Sequence, residues 1–510
     1  MSLLRESYLY HLWASFYALY LDGAVHRGLM AAGDWFCRQV EESRVLLALR
    51  KEGALAGSWK ESRCCRLLSW LLNLPGTLVH WLSRKFPSAM EGSFFVNLAA
   101  RMGEGSVGAE AVLILLLWSI PFAYWNNAYS LLAFLLVLSL LYFRRFRQAD
   151  QRLDVENLGF YPVLVFGAAI LAAVFSYSPS GSLRFLIYHL SAALCVLVTV
   201  SAVRTSRDLK HLAAGAGGAV LCASLYGVYQ RIQGVEVNKL YVDVRLNEGM
   251  PGRVMSFFDN PNTFAEVLIL LLPLVLGLVL CSKSLWGKLL GSAVFLLGAA
   301  ALGMTYSRAS WMGMAVAMVI LVFLWKPRLI PVFVLLCVAL LPFLPDTIWN
   351  RLLTILNPAD TSTASRVPLM SAAVEVIQRS PITGAGLGTE VTQKYIGDWN
   401  LYHGGAPYVH SHNLYLELWI EMGLLGLVGF LSSMLWNIKR AAAAVRNCGD
   451  SAARTITCTA AAALCGTMVC GLADYLWNYP RVMCIFWFVF AMALAGVKLC
   501  HQEARGSQTV

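Results

Sequence analysis

A succession of apolar blocks, each about 17–25 residues long, constrains this chain more than any other feature, because that is the length an α-helix needs to cross a bilayer. The blocks fall near 109–125, 127–143, 159–177, 184–203, 211–231, 264–282, 284–305, 309–325, 329–343, 412–436, 456–474 and 481–499. Hydrocarbon offers backbone N–H and C=O groups no partner, so such blocks must fold as helices that satisfy themselves. Composition agrees. Of 510 residues, 58% are hydrophobic and 14% charged, with a mean hydropathy of +0.61, whereas a soluble chain carries about a quarter charged residues. The sequence therefore predicts an all-α integral membrane protein with about twelve transmembrane helices.

The formal charge of +11 does not call for nucleic acid. The basic residues gather in short connections, as the positive-inside rule requires. With the N-terminus placed in the cytoplasm, the cytoplasmic connections are Arg144-Arg145-Phe146-Arg147 through Arg152, Arg204 to Lys210, Lys283 to Lys288, Lys326-Pro327-Arg328, and Lys439-Arg440 with Arg446. The opposite connections Trp125-Asn126-Asn127 and Ser178 to Ser182 contain no Lys or Arg. This orientation assigns spans 1–9 to 109–343, a long extracytoplasmic loop to 344–411, spans 10–12 to 412–499 and a cytoplasmic tail to 500–510. Residues 1–108 read as a cytoplasmic or interfacial extension of amphipathic helices. Within it, Asn73, Pro75 and His80 disfavour a span over 67–82. Residues 1–30 mix Arg5, Glu6, His11 and Asp22 with aromatics, so a cleavable leader is not expected. The 13 cysteines lie mostly in apolar spans or cytoplasmic segments. They are expected to be buried small hydrophobes rather than a disulfide framework, and the Cys64-Cys65 pair lacks metal-ligand spacing.

The outer connections near 232–263 and 344–411 are longer than a helix hairpin requires, which marks them as functional. Arg253 precedes the sixth span. Arg308, in TYSRASW (305–311), occupies the turn between spans seven and eight. Arg366 opens an amphipathic helix in TASRVPLMSAAVEVIQRSPITGAGLG (363–388), and His410, His412 and Asn413 lead into span ten with His403 upstream. A boundary arginine commonly snorkels to headgroups. Three arginines on the face where cations are disfavoured suit a diphosphate better, because each planar fork donates two parallel hydrogen bonds and stays charged. The histidines admit three readings. H-x6-H-x-H could bind zinc, although no outer Cys or well-spaced carboxylate completes the set. A solvated histidine-rich loop is the second. A general base at a helix N-terminus is the third and favoured one, since the positive helix end stabilises neutral imidazole. Gly384, Gly386 and Gly388 predict a turn with positive φ rather than a dinucleotide site. Asp474 and Arg481 bracket the last outer turn; a structural pair is the first reading and a supporting site role the alternative.

The stretches GRVMSFFDNPNTFAEVL (252–268), TYSRASWMG (305–313), SRVPLMSAAVEVIQRSPITGAGLG (365–388) and HNLYLELWIEMGLLG (412–426) resemble the bacterial O-antigen ligase and O-antigen polymerase superfamily. The order His-Asn, nine residues, Gly, two residues, Gly in 412–426 is the most specific. The resemblance spans about 250–430 and leaves out residues 1–108. It implies metal-independent transfer of a glycan from undecaprenyl diphosphate to a hydroxyl of a glycan, lipid or protein acceptor, outside the bacterial cytoplasmic membrane, in lipopolysaccharide and related polysaccharide biosynthesis. Carried onto this sequence, His412 is the base and Arg253 and Arg308 are diphosphate clamps. Arg366, Asn413, His410, Asp474 and Arg481 complete the candidate substrate-binding set, and no cofactor is expected. A lipid-linked glycan flippase or polysaccharide transporter is the alternative, but it would line a central pathway with charge rather than the outer ends of spans. Topology gives the first test. In a background lacking reactive cysteines, Gly404→Cys should react with a membrane-impermeant thiol reagent in intact cells and Ala442→Cys should not; the reverse pattern refutes the orientation.

Overall fold

The computed structural model describes residues 8–44, 47, 57–148, 151–237, 251–353, 366–404 and 407–506. Residues 238–250 of the first long connection, and 354–365 and 405–406 of the second, lie outside the described residues. The described residues form helices and turns with no strand among them. The first nine apolar blocks fold as α1 (Ser106–Trp118), α2 (Ala128–Arg144), α3 (Phe160–Val174), α4 (Pro179–Ala202), α5 (Ser206–Gln233), α6 (Pro261–Cys281), α7 (Leu285–Met304), α8 (Arg308–Trp325) and α9 (Ile330–Leu340). The long connection contributes α10 (Arg366–Arg379) and α11 (Thr389–Asp398), and the last three blocks fold as α12 (Leu414–Ala444), α13 (Ser451–Cys470) and α14 (Pro480–Gly506).

Among the described residues, eight helices are long and apolar enough to cross a bilayer, namely α4 to α8 and α12 to α14. The blocks at α1, α2, α3 and Pro327–Phe343 form shorter apolar helices. The chain is a multi-pass all-α membrane protein. Two blocks differ from expectation for a chemical reason. The block at 109–125 stops as a helix at Trp118, because Pro121 pushes the residues before it out of the α region. The block at 329–343 yields only the 11 residues of α9, flanked by 3-10 turns at Pro327–Leu329 and Leu341–Phe343. Several helix starts follow side-chain caps. Thr205 and Asp208 form a capping box on α5, Asn260 caps α6 just before Pro261, and Asp450 caps α13.

Small residues set the packing. A Cβ on Gly313 of α8 would come within 2.7 Å of the Gly466 carbonyl on α13, and one on Gly215 of α5 within 2.4 Å of the Ala111 carbonyl on α1. Such close backbone approach is how helices gain dispersion contacts where lipid removes the hydrophobic drive. α14 is buried along its span and forms the axis of the bundle. All thirteen cysteines are free.

The connections sort onto two rims. On one, Phe122 N donates to Phe257 O at 2.8 Å, Val254 N to Met304 O at 3.3 Å, Tyr177 N to Ala385 O at 2.8 Å, and Leu414 N to Gly471 O at 2.8 Å. On the other, Lys498 Nζ meets Asp154 Oδ2 at 3.2 Å, Asp154 N donates to Ser201 Oγ at 2.9 Å, and Arg454 donates to Trp325 O at 3.0 Å. The second rim holds the basic connections. The helices of the N-terminal extension lie against it. Asp34 of the Ala24–Glu42 helix pairs with Arg328 at 2.7 Å, and Asn73 of the Arg63–Lys85 helix accepts Leu153 N at 2.8 Å.

The turn 380–388 carries Gly384, Gly386 and Gly388 at φ of 73°, 118° and 96°, the positive-φ turn that the sequence predicts. It inserts into a break in α12. Gly423 there has φ 64° and ψ −170°, a glycine-only conformation, and a Cβ on it would lie 1.9 Å from Ile382 O. Ala385 N donates to Ile420 O at 2.6 Å and Leu424 N to Pro381 O at 3.0 Å, so the turn supplies the hydrogen bonds that the broken helix gives up. Gly423→Ala should cost about 1–3 kcal/mol from the backbone alone, with the clash in addition. Gly429→Ala, whose added Cβ would meet its neighbours at an ordinary 3.5 Å, should be near neutral. Thermal unfolding of the two variants in detergent checks this, and equal melting temperatures would refute it.

Candidate active site

The first rim gathers the candidate residues from four connections. Asn413 ends the entry loop and caps α12, its Oδ1 accepting Tyr415 N and Leu416 N at 3.0 Å each, while its Nδ2 donates to Leu472 O at 3.0 Å. Its carboxamide is thus engaged at both ends within the protein. The preceding His412 is held at φ 51°, a left-handed conformation that costs roughly 1–3 kcal/mol and must be over-determined by its surroundings. The cap fixes one side of it. On the other, His412 N donates to His410 Nδ1 at 3.1 Å, and the two imidazole centroids lie 4.1 Å apart.

His412 Nδ1 sits 3.2 Å from Asp474 Oδ1. A proton on Nδ1 donated to the carboxylate leaves Nε2 as a lone-pair acceptor, and the carboxylate would stabilise an imidazolium once formed. The His412 side chain is 28% exposed against 11% for Asp474, so the imidazole is reachable and its partner is sheltered. Burial alone would raise the Asp474 carboxyl, but the His412 hydrogen bond and the positive charges of His412 and Arg366 hold it well below the usual carboxylate range. Asp474 Oδ2 accepts Asn262 Nδ2 at 3.1 Å. Asn262 Oδ1 in turn receives Arg253 Nη2, and Arg253 Nε donates to Thr305 O at 2.6 Å. A continuous polar chain thus runs from His412 through Asp474 and Asn262 to a buried arginine. Arg308 starts α8 two residues beyond Tyr306, which is itself held at φ 51°. Arg366, at the start of α10, is close enough for its charge to act on both His410 and Asp474.

Residues 293–431 match the O-antigen ligase family model. Over this stretch the chain is similar to the O-antigen ligase family. No curated protein matches the chain. The O-antigen ligase stretch contains Arg308, Arg366, His410, His412 and Asn413 but stops short of Asp474 and begins after Arg253 and Asn262. The fold, not the matched stretch alone, completes the cluster.

Two expectations are corrected. Asp474 and Arg481 do not pair: Arg481 instead donates to Ile120 O and Leu117 O at 2.9 and 3.0 Å, between the Trp125 and Phe258 rings at 4.5 and 4.7 Å. It ties α14 to backbone carbonyls at the end of α1. A carboxylate does join the histidines, contrary to the sequence reading. His410, His412 and Asp474 each offer a ligand atom within 4.8 Å of the others, while His403 is exposed and outside the group. These three are the residues that could hold a cation, yet His410 Nδ1 and both Asp474 oxygens already accept hydrogen bonds from the protein.

Sequence reasoning missed a second layer behind the histidines. Glu417 Oε1 accepts Tyr408 OH at 3.2 Å and also the Ser411 N–H, and Glu421 Oε1 accepts Tyr475 OH at 2.6 Å. Their signal was present as two acids four residues apart in an apolar run, hence on one helix face. Burial, with the nearby charge of His412, lowers His410 to about 4, so the folded protein holds it neutral. The unfolded chain binds a proton there near 6.5. Between those values the folded state carries fewer protons, so acid favours unfolding, by up to roughly 3 kcal/mol across the window. His410→Gln should flatten this part of the stability curve between pH 6.5 and 4 relative to wild type, as read by thermal unfolding; parallel curves would remove His410 as the cause.

Proposed function

We propose that this protein transfers a glycan from undecaprenyl diphosphate to an acceptor hydroxyl at the outer surface of the bacterial cytoplasmic membrane, using neither metal nor cofactor. In this reading the twelve apolar helices cross the membrane, the rim that carries His412 faces outward and the connection around α10 and α11 covers the site. The observation that carries the proposal is the chain from His412 through Asp474 and Asn262 to Arg253, at the edge of the stretch that matches the O-antigen ligase family. It joins a base poised to take a proton to a cation suited to a diphosphate.

His412 Nε2 takes the acceptor hydroxyl proton as that oxygen attacks the anomeric carbon. The bond from this carbon to the lipid diphosphate breaks, and the pair of electrons leaves with the phosphate oxygen. The new imidazolium rests against Asp474, which stays ionised throughout. Arg253, Arg308 and Arg366 stabilise the charge that grows on the leaving diphosphate, and groups already fixed in place do so without reorganising. His410 contributes a neutral wall and holds the His412 backbone.

Assays on purified protein with a lipid-linked donor test this. His412→Ala should lower turnover by roughly 10²–10⁴-fold, the range typical of a positioned proton acceptor, with folding retained. Arg308→Lys should keep most donor affinity yet slow transfer about tenfold or more, because lysine retains charge but loses the two-pronged geometry. A chelator should change neither. Wild-type turnover in His412→Ala refutes the base assignment. Activity lost to chelator and restored by one divalent ion would assign His410, His412 and Asp474 to a metal instead.

A further inference from the structure

A cavity of about 560 Å³ lies at the basic rim, far from the histidines, between the Ala24–Glu42 helix and the ends of α8, α12 and α13. Its size falls within the roughly 300–1,000 Å³ typical of small-molecule sites. The walls are apolar, formed by Phe323 and Leu324 of α8 and by Leu435 and Ile438 of α12. Three cations, Lys439, Arg446 and Arg454, border it against one carboxylate, Glu41.

The roof is built to fit. Gly33 lets the Ala24–Glu42 helix settle on the Arg328 backbone, where a Cβ would come within 2.4 Å of the Arg328 carbonyl. Asp34 pairs with Arg328 at 2.7 Å, and Phe36 stands edge-on to Phe323 with centroids 6.3 Å apart. One guanidinium is held at the wall, Arg454 donating to Trp325 O at 3.0 Å while its buried Nε has no partner among the described residues. Trp325 and Lys326 mark this level as the membrane interface, the depth where aromatic and basic residues concentrate.

The geometry points to a bound anionic phospholipid of the adjacent leaflet, with an acyl chain in the apolar cavity and its phosphate among Lys439, Arg446 and Arg454. An apolar slot with a net cationic mouth at headgroup depth matches that chemistry and no soluble anion, which would have no use for the apolar walls. Basic pockets between membrane helices on this side recruit anionic headgroups for the same reason. The site gives the N-terminal extension a role as the lid of a lipid pocket, and it stands independently of the glycan-transfer reading.

Native mass spectrometry of the full chain, purified in mild detergent and exchanged into mixtures of phosphatidylglycerol and phosphatidylethanolamine, tests this. Wild type should retain one phosphatidylglycerol in preference to phosphatidylethanolamine. Lys439→Gln and Arg454→Gln should each weaken that retention about fivefold, the effect expected of one cation near a lipid surface. Leu435→Trp, which fills the cavity and leaves the charges, should also release the lipid. Lys283→Gln, on the same rim but outside the cavity, should not. Wild-type retention in Leu435→Trp, or equal loss in Lys283→Gln, would mean annular lipid only and overturn the site. Elution as a single species with an unchanged melting temperature separates lipid loss from misfolding, and if Arg454→Gln fails to fold, Lys439→Gln and Leu435→Trp still decide.

Discussion

Because hydrocarbon cannot hydrogen-bond a peptide group, irregular backbone in this protein is confined to the two rims or plugged by another part of the chain. Everything chemical follows from where the helices are allowed to stop. Among the described residues, three of the four non-glycine residues with positive φ, Ser256, Tyr306 and His412, belong to connections that converge on one rim. Each lies within three residues of a candidate arginine or is itself the candidate base. Strain of this kind persists only where neighbours over-determine it, and here caps, carbonyls and a carboxylate do so.

Asp474 is the electrostatic hinge of that rim. It faces His412, Asn262 and the charge of Arg366, and it remains charged because those partners outweigh the cost of burying it. Removing it would leave an imidazole without orientation and a carboxamide without its acceptor. The opposite rim is arranged differently, with carboxylates spread among many more cations, as in the Lys498–Asp154 and Arg328–Asp34 contacts.

Much of this was legible in the sequence. Apolar runs and basic connections gave the helices and their sorting onto two faces, since both depend on local composition alone. Helix starts at Pro261 and Leu414 were readable because Asn260 and Asn413 are cap residues with a chemical signature. The early end of α1 was missed because apolar composition continues past Pro121 while the backbone cannot. The Asp474–His412 contact was not legible: 62 residues separate the pair, and only the crossing of α12 and α13 brings them together. Arg481 was misassigned for the complementary reason, as nearness in sequence to Asp474 suggested a partner that the fold places elsewhere. Glu417 and Glu421 were hidden by the apolar residues around them, although their spacing put both on one face.

The glycine turn that fills the break in α12 also bears on how the chain is made. The turn precedes the helix in the sequence, so it is synthesised before α12. Without it, Ile420 O and Leu424 N would lose the partners that replace those within the helix. The break is thereby written into two separate stretches of the chain, and neither one alone specifies it.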